Sequence, residues 1–243
     1  MYRWYENAQI CYACLHDVAD GPEDLVLQAL IKSDWFTRGW TLQELLSAGV
    51  VHFVDKSWKS ILGDKRSLCY VISEITGIKS WVLEQAGTNT RRSALNFCSV
   101  AQRMYWEARR TCTREEDSAY FLRGLFEVQM LLLYGEGGCG AFLRLQQEIM
   151  KKSMDESIFS WRGQYDESGW TGMLAISPKD FEDSGNIIEC AFDLQRVEYA
   201  MTNRGLKFEA MLGREVAAVP EATRTALNCA DDRSSPTPIF VWL

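Results

Sequence analysis

Apolar positions along the chain change their period several times, and each change marks an element. Met1, Trp4, Tyr5 and Ala8 recur at helical spacing, so the chain opens inside an amphipathic helix with no N-cap residue before it. Ile10 to Leu15 follows as a continuous apolar run of strand character, closed by turn residues from Asp17 to Gly21. Pro22 suits a first helical turn, and Glu23 to Lys32 reads as a helix with Leu25, Ala29 and Leu30 inward. In Asp34 to Leu46, Gly39 permits a close approach, and Thr41 with Glu44 has the spacing of a capping box. A short helix with Leu42, Leu45 and Leu46 inside then ends near Gly49. Val50 to Val54 is a second apolar run of strand type.

From Trp58 to Met154 the period is helical. Asp64 is placed to cap a helix through Glu74 that buries Leu68, Val71 and Ile75, and Gly77 stops it. A short helix spans Trp81 to Gln85, and a longer one Ser93 to Arg109. Thr113 and Glu116 form a second capping box, opening a helix with Tyr120, Phe121, Leu125 and Phe126. The last long helix, Ala141 to Ser153, places Phe142, Leu145, Ile149 and Met150 on one side. After Trp161 short apolar alternations replace this period. Glu198 to Thr202 and Leu206 to Met211 flank a turn at Asn203-Arg204-Gly205, and Thr223 to Cys229 and Ile239 to Leu243 read as further strands.

The alternation in the first half predicts an α/β fold with a parallel sheet, and the tail a small β-rich unit from about residue 165. Only two strands are legible in the first half, fewer than such a sheet normally contains. With the uncapped start, this leads to the expectation that the front of the domain precedes Met1. The tail stops at Trp242-Leu243 in mid-strand, where a second truncation is expected.

Composition narrows the function. The 243 residues carry a net charge of -7, which leaves no basic surplus for phosphate and argues against nucleic-acid binding. No apolar run approaches a membrane span. Eight cysteines scattered over this length fit a reducing, cytoplasmic location better than a disulfide framework. Cys11 and Cys14 form a CxxC, but on a strand they point to opposite faces, and no metal site is expected there. With only His16 and His52, a metal centre or a Ser-His-Asp hydrolase is not expected either. Gly135-Glu136-Gly137-Gly138-Cys139-Gly140 has the form of a dinucleotide turn, yet no βαβ unit surrounds it, and a glycine-rich helix start is the favoured reading. Arg109, Arg110 and Arg114 beside Glu115, Glu116 and Asp117 read as a structural charge cluster, with Asp117 placed to hold an arginine of a neighbouring turn.

Several blocks, in order, resemble the fungal heterokaryon incompatibility (HET) domain. Trp35-Phe36-Thr37-Arg38-Gly39-Trp40-Thr41-Leu42-Gln43-Glu44-Leu45-Leu46 is similar to its signature block, as is Met1 to Tyr5 followed by Cys11 to Leu15. Arg103 to Trp106, Thr113 to Tyr120, Leu132 to Gly137, Ala141 to Gln146 and Ser157 to Trp161 extend the match. Ser177-Pro178 and Met201 to Leu206 resemble the segment that often follows the domain. Leu131 stands where members usually have proline, and Cys139-Gly140 replaces a commonly charged pair. Members usually begin with strands carrying His-Thr-Trp-like and Ile-Asp-like motifs, which are absent here. The resemblance thus implies the C-terminal portion of a HET domain over 1–162 and a β-rich associated region over 163–243.

HET domains act in fungal self/non-self recognition and trigger cell death, and are held to be distantly similar to Toll/interleukin-1 receptor (TIR) domains. Trp40-Thr41-Leu42-Gln43-Glu44-Leu45 resembles the Trp-Cys-Leu-x-Glu-Leu helix of plant TIR domains. The implied fold is a partial TIR-like, flavodoxin-like parallel sheet with a helical extension. In NAD-cleaving TIR domains the matching glutamate is catalytic. Carried over, Glu44 stabilises positive charge on the ribose as nicotinamide leaves, and Arg38 binds phosphate or orients Glu44. NAD enters as a substrate, and no cofactor is expected. The residues alone offer a plainer alternative, in which Glu44 caps its helix and Arg38 pairs with it structurally. Without the upstream strands to wall a pocket, Glu44 is not expected to act in this chain. A third expectation is a non-catalytic module with protein partners or self-association, using Trp35 and Phe36 as contact surface.

Overall fold

The computed structural model describes residues 2–85, 91–163, 172–190, 199–203, 205–207, 224–233 and 238–242. Two compact units emerge, the first from residues 1–97 with 109–127, the second from 98–108 with 128–243.

The first unit is mixed α/β. Helix α1 (Tyr2–Asn7) leads into strand β1 (Cys11–Cys14), then α2 (Glu23–Ile31) and α3 (Gly39–Ser47) precede β2 (Val51–Val54). Strands β1 and β2 pair in parallel, Cys11 opposite Val51 and Cys14 opposite Val54, which bears out the parallel arrangement expected for them. A third strand, β3 (Ile61–Asp64), pairs antiparallel to β2 and corrects the expectation of two strands and of a helix capped by Asp64. The Asp64 carboxylate accepts instead from the amides of Arg66 and Ser67 in a turn, and α4 (Cys69–Thr76) starts later. Its buried positions are Cys69 and Ile72, whereas Leu68, Val71 and Ile75 are half-buried. In α2 the inward residues are Val26 and Leu30, with Leu25 exposed.

Short helices α5 (Ser80–Glu84) and α6 (Arg91–Asn96) follow. The long helix expected over Ser93 to Arg109 is broken, and α7 (Val100–Ala108) is a separate element in the second unit. Helix α8 (Asp117–Leu125) returns to the first unit and packs on α3 and α1. Its N-cap is Glu116 in helical conformation without a side-chain cap bond, so the Thr113 capping box does not form. The core of this unit gathers Leu42, Leu45, Phe53, Tyr120 and Phe121.

The second unit is built on α7 and α9 (Gly137–Met150), which bury Met104, Trp106, Phe142, Leu145 and Ile149. The chain then makes β4 (Ile187–Glu189), β5 (Ala200–Thr202), β6 (Gly205–Lys207), β7 (Arg224–Ala226), β8 (Cys229–Asp231) and β9 (Phe240–Trp242). They pair antiparallel as β4 with β8, β5 with β6 and β7 with β9, among the described residues. The expected hairpin around Asn203 is present, with Gly205 at φ +118 opening its second arm, while Glu198, Arg204 and residues 208–211 of the expected hairpin lie outside the described residues.

A buried polar segment, 155–160, ties this unit together. The Asp155 carboxylate accepts from the Val100 amide at 2.6 Å and from Ser157 N at 2.9 Å. The Ser157 hydroxyl accepts from Ala101 N at 3.0 Å. Two donors left over at the start of α7 thus find acceptors on a distant segment. Glu156 accepts from both the amide and the side-chain nitrogen of Asn228, each at 2.8 Å, which links the segment to β8.

Candidate functional site

The start of α3 is held by backbone. Arg38 is extended and bridges in parallel to Thr111; Thr111 N donates to Thr37 O at 2.7 Å and Gly39 N to Thr111 O at 3.0 Å. Gly39 is needed for close approach, since a Cβ there would lie 2.6 Å from Cε1 of Phe121. Arg110, from the charge cluster, donates through Nη1 to Arg38 O at 2.9 Å and to the Thr41 hydroxyl at 3.0 Å. Trp40 Nε1 donates to Asp117 at 3.1 Å. Sequence reasoning gave Asp117 a holding role, and one of its partners is an indole.

The expected capping box at Thr41 and Glu44 is overturned. Helix α3 begins at Gly39, so Thr41 lies inside the first turn, and its hydroxyl lies 2.6 Å from both Trp35 O and Arg38 O. Glu44 is a full turn further along and reaches no N-terminal amide. Its Oε1 accepts instead from the Tyr5 phenol on α1, at 3.0 Å. Burial pushes the Glu44 carboxyl above its ordinary value, against the opposing pull of the Tyr5 bond and the Arg38 charge. Burial also pushes the Tyr5 phenol up, to about 12, with the nearby Glu44 charge adding to it. Cys11 on β1 is raised by burial and again by Glu44.

Arg38 and Glu44 are therefore electrostatic neighbours. They share no hydrogen bond or ion pair among the described residues, so the structural pair posited between them is absent. Arg38 is exposed, and its carbonyl, not its guanidinium, makes the contacts described above. The arrangement sets a half-buried carboxylate beside a phenol, a thiol and one cation. Chemically, such a group can bind or stabilise positive charge.

Trp35 and Phe36, expected as contact surface, are core. They are 5% and 4% exposed and pack edge-on to one another, with Phe53 of β2 beneath both. Of the glycine-rich stretch, Gly135 and Gly137 take φ +101 and +78 and lead directly into α9. Residues 128–134 form no strand, so the dinucleotide-turn context is missing and the helix-start reading stands. None of the eight cysteines takes part in a disulfide. Among the described residues, His16, Asp17 and Asp34 are close enough to share a metal ion, but all are exposed, and Asp17 already accepts from Ser33 and Asp34 N. No helix of the described residues is long and apolar enough to cross a membrane.

Over 156 residues, 62% of this chain, the sequence is 42% identical to vegetative incompatibility protein HET-E-1 of Podospora anserina. The chain is similar to a fungal vegetative incompatibility protein. The match spans about 11% of the length of HET-E-1. Residues 140–221, within the second unit, match a family described as a domain of unknown function, DUF8212. No solved structure matches.

Two features of the site had no signal in the sequence. Tyr5 stands 39 residues from Glu44, and only the packing of α1 on α3 joins them. Lys65 is buried at 3% exposure and donates through Nζ to Leu45 O at 2.8 Å and Ala48 O at 2.7 Å, closing the C-terminal end of α3. A lysine just after a short strand gives no warning of that role.

Proposed function

We propose that this chain is part of a fungal vegetative incompatibility protein that acts in self/non-self recognition and drives cell death. The observation that carries this reading is the 42% identity to HET-E-1 over 156 residues. The HET-type assignment of residues 1–162, the associated region over 163–243, a distant TIR-like kinship, protein partners or self-association, and a cytoplasmic site of action belong to the same proposal. Regulated expression of the chain in a filamentous fungus tests it. Induction is expected to kill hyphae, read as uptake of a vital dye. Healthy hyphae at a soluble level of the protein overturn it.

A second reading concerns chemistry, and one observation favours it: Glu44 has no capping task and is held half-buried by a phenol. On this reading the chain cleaves NAD. The bond between ribose C1′ and the nicotinamide nitrogen breaks, and nicotinamide leaves with the electron pair. The Glu44 carboxylate stabilises the cationic ribose, and water adds to give ADP-ribose and a released proton. Arg38, whose charge acts on Glu44, would bind a phosphate. Nicotinamide release by the wild-type chain, lost in Glu44→Gln, is the expected result; no release, or equal release by both, rejects it.

A further inference from the structure

We propose that Tyr5 is a positioning residue for Glu44, holding one carboxylate oxygen from α1 so that the other faces the reacting ribose. The inference rests on the NAD-cleaving reading. A glutamate side chain has three rotatable bonds, and a carboxylate without a fixed partner samples many directions. Here a single donor, the Tyr5 phenol, engages Oε1 at 3.0 Å, while Oε2 takes part in no hydrogen bond among the described residues. The phenol itself is fixed by the seating of its helix. Helix α1 packs on α3 and α8, and it approaches α8 at Gly124, where a Cβ would lie 2.7 Å from Cβ of Tyr2 and 2.9 Å from Nε2 of Gln43 on α3. The glycine thus lets Tyr2 of α1 sit close against α8, next to the Gln43 side chain of α3.

The same bond favours the ionised carboxylate. Burial alone keeps a carboxyl protonated, and a donated hydrogen bond offsets this. Among the described residues, the groups electrostatically coupled to Glu44 are Tyr5 on α1, Cys11 on β1 and Arg38 before α3. Lys65 beyond β3 and Asp117 on α8 bond to the Leu45 and Ala48 carbonyls and to the Trp40 indole. Of these, Tyr5 is the one that hydrogen-bonds Glu44.

The test uses the full chain with NAD as probe, measuring nicotinamide release against pH for wild type, Glu44→Gln and Tyr5→Phe. Glu44→Gln is expected to be inactive. Tyr5→Phe stays folded with its KM unchanged, loses roughly tenfold in kcat, and moves the acid limb of the profile up by about one pH unit, the scale of one hydrogen bond to a charged group. If Glu44→Gln is dead and the Tyr5→Phe profile superimposes on wild type, the positioning role is overturned and the NAD reading stands. If wild type releases no nicotinamide, or Glu44→Gln matches it, the NAD reading falls and this role with it. Should Tyr5→Phe misfold, ultraviolet titration of wild type against Glu44→Gln decides the contact. One phenol titrating near 12 is expected to drop on losing the Glu44 charge, and an unchanged titration overturns the pairing.

Discussion

Replacing Lys65 by methionine should loosen the C-terminal end of α3. The lysine is 3% exposed, and its ammonium caps two carbonyls at the end of the helix, Leu45 O and Ala48 O. Methionine keeps most of the volume but offers no donor, so both carbonyls lose this partner in a dry environment. Each such loss costs about 1–3 kcal/mol, and the cation also loses its favourable place at the negative end of the helix. Against this, the mutant no longer has to desolvate an ammonium. The net effect is set at about 3 kcal/mol, equivalent to about a hundredfold rise in the opening of α3. Hydrogen exchange of the amides from Leu42 to Ser47, read by mass spectrometry at constant pH, measures that opening directly. A rise below about fivefold, near 1 kcal/mol, would refute the capping argument.

Three further outcomes are expected. Asp155→Ala removes the acceptor from Val100 N and Ser157 N in a buried setting, and should destabilise the second unit by about 2–4 kcal/mol in a urea titration; Asp155→Asn should recover part of that loss. Gly39→Ala forces a methyl against both Cys112 Sγ and the Phe121 ring and should cost about 1–3 kcal/mol, seen as a lower thermal midpoint, with partial rescue only when Cys112→Ala and Phe121→Leu are combined. The Asp55 carboxylate accepts from Ser57 N at 2.9 Å and from Lys59 N and Ser60 N at 2.8 Å, and also from the Ser57 hydroxyl. These donors, the Ser57 hydroxyl foremost, hold its carboxyl well below the ordinary 3.8. A depressed carboxyl contributes its full stability above its unfolded value and loses it progressively as pH falls from there through its lower folded value. Wild type should therefore weaken below about pH 4, and Asp55→Asn should flatten that part of a stability-against-pH curve.

The elements legible in the sequence were those with their own periodicity. Strand β1 lies in an uninterrupted apolar run and β2 in one broken only by His52, and Leu42, Leu45 and Leu46 mark one side of α3 without help from elsewhere. Strand β3 escaped because Ile61-Leu62-Gly63-Asp64 has two apolar residues and a glycine at φ +155, and only its pairing with β2 makes it a strand. The capping boxes failed for a related reason. The S/T-x-x-E spacing recurs inside helices, and the Arg38–Thr111 bridge starts α3 three residues earlier than the spacing places it. Burial of Trp35 and Phe36 depends on Phe53, a residue that no local pattern connects to them.

The same distinction governs what can be learned from Glu44. If the glutamate capped its helix, removing it would weaken α3, and a lost activity would say nothing about chemistry. The structure assigns the holding of α3 to other groups: Arg110 at the start, Gln43 to the Phe121 carbonyl in the middle, and Lys65 at the end. None of these bonds uses the Glu44 carboxylate. Glu44→Gln keeps the length and shape of the side chain, can still accept from Tyr5 through its amide oxygen, and removes only the charge. A folded Glu44→Gln chain that fails to kill hyphae or release nicotinamide therefore reports on that charge, whereas an unfolded one would contradict the distribution of tethers along α3.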